Sequence, residues 1–169
     1  GEVVDLDGVP ATEPMRTVLD CARISDPDWG VVLADAALHQ GLINLAAFTS
    51  AAGGTARVWG AARVRVLPEQ CSALAESPGE TLLRLRLRRL GLDVAEQFTL
   101  TAAAGRPRVD FLVDGCLVVE FDGRSKYGLD GDVERAHWQE KQRHDRIVEA
   151  GYEVLRITWA ELWDEGALQ

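Results

Sequence analysis

The sequence predicts an α/β (α+β) protein, a mixed sheet flanked by helices, behind a mainly helical N-terminal region. Three stretches carry the prediction. PRVDFLVDGCLVVEFDG, Pro107 to Gly123, alternates β-branched and aromatic residues with others on both sides of Asp114-Gly115, a pair that favours a tight hairpin. Ser77-Pro78-Gly79-Glu80 opens a helix with a serine cap, a proline at the first helical position and a glutamate three residues after the cap. A polar helix from about Asp132 to Ala150 stops at Gly151 and is followed by YEVLRITW, so a helical crossover can return the last strand parallel to a neighbour.

The N-terminal elements follow in order. Glu2 to Val9 reads as a short strand and turn, after which Thr12 can cap a helix over Glu13 to Ile24 with Pro14 in its first turn. Asp26-Pro27 restarts the chain, and Trp29, Val32, Leu33, Ala36, Ala37 and Gln40 keep helical spacing up to Gly41. Asn44 begins a third helix that Gly53-Gly54 ends, and a fourth segment spans Ala56 to Leu67 before Pro68. His39, near a helix end, reads as a partner for the helix dipole. No chemistry is assigned to this region.

In the C-terminal part, Leu83, Leu87 and Leu90 share one side of the helix that Ser77 opens, and Arg84, Arg86, Arg88 and Arg89 form the densest basic cluster. That cluster suits phosphate neutralisation, although a solvated helix face is the simpler reading. Val94 to Thr101 reads as a strand, and AAAGRP as the turn into the hairpin. On the later polar helix, Trp138, Lys141, Asp145 and Val148 fall on one side. His137 and His144 stand two turns apart, too far to chelate one ion. Trp159 to Trp163 makes a closing helical turn.

The hairpin has two possible registers. A two-residue loop pairs Asp110 with Val119 and puts Glu120 on the face of Val109, Phe111 and Val113, burying an acid in oil. An odd loop centred on Gly115 instead gathers Val109, Phe111, Val113, Leu117, Val119 and Phe121 on one apolar face, so hydrophobicity selects it. Asp110 then lies across from Glu120, and both share the second face with Asp122, Leu112 and Val118. Opposed carboxylates destabilise a hairpin by about a few tenths of a kcal/mol, which a bound cation offsets. Oxygen ligands of this kind suit Mg2+ or Mn2+. The competing reading is a solvated hairpin face whose acids add solubility.

Composition bounds these readings. The 169 residues suffice for one domain, or for a compact domain with a small appendage, and the 47% hydrophobic and 27% charged residues are those of a soluble globular protein. No apolar run approaches a membrane span and no signal peptide is visible. The chain starts at Gly1 and its single methionine is Met15, so the natural N-terminus is expected upstream. Three cysteines without metal-ligand spacing point to small buried residues in a reducing, cytoplasmic setting. A net charge of −9 opposes electrostatic capture of nucleic acid, so such contact must come from a local patch and metal ions.

Taken together, the SPGE helix start, the V-D-F strand, VVEFDG, the KQRHDRIVEAGYEVLR passage and the terminal ITW resemble the PD-(D/E)XK restriction-endonuclease-like proteins, in the branch similar to very short patch repair endonucleases. The resemblance covers Ser77 to Trp163. VVDLDGVPATEPMRTVLDCAR and the helical segments after it resemble the antitoxin-like domain of abortive-infection systems, so the expected domains are 1–75 and 76–169. In that arrangement a winged-helix DNA-binding segment is expected upstream.

By position, the resemblance implies a Mg2+-dependent endonuclease acting on DNA, with Asp110, Glu120 and the Phe121 carbonyl binding Mg2+ or Mn2+ and Glu80 approaching from the helix. A protein partner in a toxin-antitoxin or defence system is also implied. The family places lysine two residues after the glutamate, and this chain has Asp122 there. Asp122 can serve a second ion, and Lys126, Lys141 or Arg143 can supply the missing cation, Lys141 being the catalytic candidate. The same substitution fits an inert nuclease-like scaffold in an antitoxin-type DNA-binding regulator.

Overall fold

Asp7 and Gly8 both adopt positive φ, 52° and 85°, which is the conformation a two-residue Asp-Gly hairpin loop demands. They join β1 (Val3–Leu6) to β2 (Val9–Thr12) as an antiparallel pair. A computed structural model describes residues 3–55, 59–123 and 133–164, and only the backbone of 133–137. It divides into two compact units, 1–81 and 82–169.

In the first unit the hairpin corrects the expected single strand with Thr12 as a cap. Thr12 is held extended as the ladder partner of Val3, so Glu13 takes the N-cap of α1 (Pro14–Ile24) without a side-chain bond. α2 (Pro27–His39) begins where Asp26 accepts from the Asp28 amide, and α3 (Leu45–Gly53) where the Asn44 side chain accepts from Ala47 N at 2.8 Å. α4 (Ala61–Val66) is shorter than expected, and residues 56–58 lie outside the described residues. It starts after Gly60, φ 79°, where a Cβ would come within 2.6 Å of the Arg23 carbonyl oxygen; no other residue fits without moving backbone.

Val18, Ala22, Val31, Ala34, Phe48, Ala52, Val64 and Leu67 are buried in this unit. Asp35 of α2 is buried among them, and its carboxylate accepts from Ser72 N at 2.7 Å and Thr81 Oγ1 at 2.8 Å. His39 donates Nδ1–H to the Ala73 carbonyl at 3.0 Å, a specific tie in addition to any dipole role.

α5 (Pro78–Arg89) contains the boundary between the units, which the sequence reading puts ahead of it at 75/76. Thr81 belongs with Asp35, and the leucines from Leu82 onward belong with the sheet. Leu82, Leu83, Leu85, Leu87 and Arg84 are all buried, so the expected one-sided leucine stripe is a helix enclosed on every side here.

The sheet runs β3 (Val94–Thr99), β4 (Arg108–Val113), β5 (Leu117–Asp122), β6 (Glu153–Thr158), with the first three antiparallel and β6 parallel to β5. Phe111↔Val119, Leu112↔Val118 and Val113↔Leu117 fix the odd register centred on Gly115. The two faces are not apolar and acidic throughout. Leu112 and Val118 pack with Val109, Leu100 and Ile147 of α6 (Val133–Glu149) in one cluster, while Phe111, Val113 and Val119 are buried as well. Gln97, φ 47°, lies between the paired rungs Glu96↔Phe111 and Phe98↔Val109, which keep one register on both sides of it.

The side of α6 that carries Trp138, Lys141, Asp145 and Val148 faces outward. Trp138 and Val148 are 61% and 50% exposed, and Lys141 and Asp145 are exposed with them. The helix turns Glu140, Arg143, Ile147 and Ala150 inward instead, at spacings of three and four.

α7 (Trp159–Trp163) closes the chain with a capping box: Thr158 Oγ1 accepts from Glu161 N, and the Glu161 carboxylate accepts from Thr158 N and Oγ1, both at 2.8 Å. The backbone bond first, then the hydroxyl, holds the Glu161 carboxyl below its ordinary value. A depressed folded value means that the cap contributes above the unfolded pKa and is lost as pH falls through the folded one. An NMR titration is expected to show Glu161 ionising below the ordinary glutamate value, and Thr158→Ala is expected to return it upward.

Candidate carboxylate and arginine site

The odd register brings Asp110, in the first half of β4, beside the second half of β5. There Asp110 Oδ2 accepts from Phe121 N at 2.8 Å, so the side chain takes a strand amide that a neighbouring backbone carbonyl would otherwise bind. Glu120, the residue before Phe121, is buried. Because β5 and β6 are parallel with Glu120↔Arg156 as a rung, the two side chains stand side by side, Arg156 Nε 3.4 Å from Glu120 Oε2. From α6, Arg143 hydrogen-bonds Glu120 Oε1 and also donates to the Arg108 carbonyl at 2.8 Å.

Glu140 completes the arrangement. One turn before Arg143 on α6, its Oε1 lies 3.4 Å from Arg143 Nη1 and accepts from Arg156 Nη2. Glu120, Arg143, Glu140 and Arg156 therefore form a closed ring of alternating charge joining β5, α6 and β6. Asp110, Glu120, Phe121, Asp122, Glu140, Arg143 and Arg156 together line one open cleft of 220 Å³. Burial alone lowers the affinity of the Arg143 guanidinium for its proton. The Glu120 hydrogen bond and the charges of Glu120, Glu140 and Asp110 outweigh that and raise its pKa above the ordinary value.

The predicted residues separate accordingly. Asp110, Glu120, Phe121 and Asp122 share this cleft, whereas Lys141 lines the adjoining one with Glu140, His144, Val154 and Arg156. Among the described residues, the cations at the acids are thus Arg143 and Arg156, because α6 turns position 143 toward the sheet. Lys126 and the His137 side chain lie outside the described residues. Glu80 belongs to the first unit, where Oε1 accepts from Ser77 Oγ at 2.8 Å and Oε2 from Glu76 N at 2.9 Å, the capping duty its position predicts.

The α5 arginines divide: Arg84 is buried and Arg86 half-buried, whereas Arg88 and Arg89 are exposed as the solvated-face reading expects. Arg84 and Arg88 hold Glu96 of β3, and Arg86 donates to the Leu162 carbonyl.

Sequence reasoning missed Glu140 and Arg156. Arg156 is recoverable only once the parallel register opposite Glu120 is known, and Glu140 only once the inward side of α6 is.

Among the described residues, no three Asp, Glu, His or Cys side chains converge as a metal-holding group. Of the donors that the resemblance assigns, the Asp110 and Glu120 carboxylates and Phe121 line the cleft, and Glu80 is not among its lining residues. This set suits a hard divalent ion. The guanidiniums on Glu120 show that its carboxylate is presented to positive charge within the cleft. No family model, curated protein or solved structure matches this chain. No helix among the described residues is long and apolar enough to cross a membrane.

Proposed function

We propose that the C-terminal unit is a metal-dependent nuclease-like domain that hydrolyses DNA phosphodiester bonds in bacterial defence or repair, in the cytoplasm. The observation that carries this reading is the cleft in which Asp110, Glu120 and Asp122 meet two arginines. Asp110 and Glu120 would hold Mg2+ or Mn2+ with the Phe121 carbonyl, and Asp122 adds negative charge beside them. A divalent ion, when bound, supplies an activated water and neutralises phosphate charge. Arg143 is positioned for the part that lysine plays in the resembling family: it is anchored on the Arg108 carbonyl, keeps its proton, and can face a phosphate oxygen. Arg156, on the opposite side of Glu120, supplies a second fork for the same phosphate.

One observation favours a second reading, an inert nuclease-like scaffold in an antitoxin-type DNA-binding regulator. Both Glu120 oxygens already face guanidiniums. Calorimetric titration with Mn2+ and Mg2+ separates the two. The nuclease-like reading expects binding by the wild-type chain and its loss in Glu120→Ala and Asp110→Asn. The asparagine is chosen because it keeps an acceptor for Phe121 N, which alanine would leave unbonded at a cost of about 1–3 kcal/mol. A folded wild-type chain that binds neither ion, alone or with DNA, supports the scaffold.

A further inference from the structure

The charge ring has a consequence for how ligands enter the cleft. A cation approaching Glu120 alone competes with Arg143 and Arg156, and its binding leaves their two positive charges short of a partner. A phosphate approaching the arginines alone competes with Glu120 and Glu140, and leaves those carboxylates short of theirs. When both arrive, no ion pair is lost on balance: Glu120 turns to the cation, the guanidinium nitrogens it releases turn to the phosphate, and Glu140 keeps both arginines. Arg143 keeps its anchor on the Arg108 carbonyl throughout this exchange. Glu140 and Arg156 are each more than a third exposed, which leaves them room to reorient.

We propose that the ring of Glu120, Arg143, Glu140 and Arg156 makes the divalent ion and the DNA phosphate bind cooperatively, each admitting the other to the cleft. This rests on the metal-dependent reading above and adds a coupling that two separate sites would lack. Thermodynamic linkage makes the effect reciprocal: DNA tightens the ion by the same factor by which the ion tightens DNA.

The test is calorimetric titration of the full chain with Mn2+, alone and with a short phosphorothioate DNA duplex, on wild type, Arg156→Gln and Glu140→Gln. For the wild type, the duplex is expected to tighten Mn2+ by about 10- to 100-fold, within the usual range of such coupling. Arg156→Gln removes a competitor, so Mn2+ without DNA should bind more tightly than to wild type, while the gain from the duplex falls to about twofold or less, below the range in which coupling is ordinarily found. Glu140→Gln leaves the arginines with Glu120 alone, so Mn2+ without DNA should bind more weakly. Opposite shifts in two variants with wild-type melting curves exclude general damage. Equal Mn2+ affinity with and without duplex in the wild type, or full coupling retained in Arg156→Gln, would overturn the proposal and leave the metal site standing. Absence of Mn2+ binding in every variant and condition would remove the metal reading and this inference with it.

Discussion

Arg84→Ala is expected to destabilise the C-terminal unit by about 3–5 kcal/mol, the range for losing a large buried side chain together with one partner of a buried ion pair. Arg84 is fully buried on α5, and its Nε lies 3.3 Å from Oε2 of Glu96, itself almost enclosed on β3. Alanine removes most of the volume and leaves Glu96 with Arg88, a surface arginine 3.0 Å from its other oxygen. Arg84→Met retains volume and should cost less, and adding Glu96→Gln should recover part of the loss by removing the stranded charge. Urea unfolding followed with hydrogen exchange at the β3 to β5 amides reads the effect where it belongs. A loss of about 3 kcal/mol speeds globally limited exchange roughly a hundredfold. A change within about 1 kcal/mol would show that the pair is not a determinant of this unit.

Arg84 also marks where the sequence became illegible. The odd hairpin register could be read because one alternative buries Glu120 among valines and phenylalanine, and hydrophobic patterning decides such cases. The parallel fourth strand could be read because a long helix intervenes. Patterning fails where charge is deliberately turned inward. Arg84 reads as one of four basic surface residues until Glu96 is known to lie beside it. The side of α6 that carries Trp138, Lys141, Asp145 and Val148 could be grouped by helical spacing, but spacing did not tell which side faces the sheet, and Trp138 and Val148 are exposed. Glu80 was legible in its local duty because capping depends on residues three or four positions away. Arg156 was not, since its partner Glu120 lies in another strand and only the register joins them.

Glu120→Gln and Asp110→Asn are expected to reduce Mg2+-dependent cleavage of a DNA duplex by about a thousandfold or more. On the nuclease-like reading each would remove an ionised oxygen ligand, and metal stabilisation of phosphate charge amounts to several kcal/mol, where about 4 kcal/mol equals a thousandfold. Neither substitution changes side-chain shape, and Asp110→Asn keeps an acceptor for the Phe121 amide, so β4 and β5 should retain their register. Glu120→Gln releases Arg143 and Arg156 from their shared carboxylate while leaving both on Glu140. DNA affinity without metal should therefore rise in Glu120→Gln even as cleavage disappears. That opposite movement distinguishes loss of a metal ligand from loss of the fold, which would lower both. A wild-type chain that binds DNA but leaves it uncut with Mg2+ and Mn2+, and a Glu120→Gln variant that binds it more tightly, would instead assign the arginines to DNA retention alone. The unit would then act as the DNA-binding scaffold of a regulator, with Glu120 as the carboxylate that limits its grip.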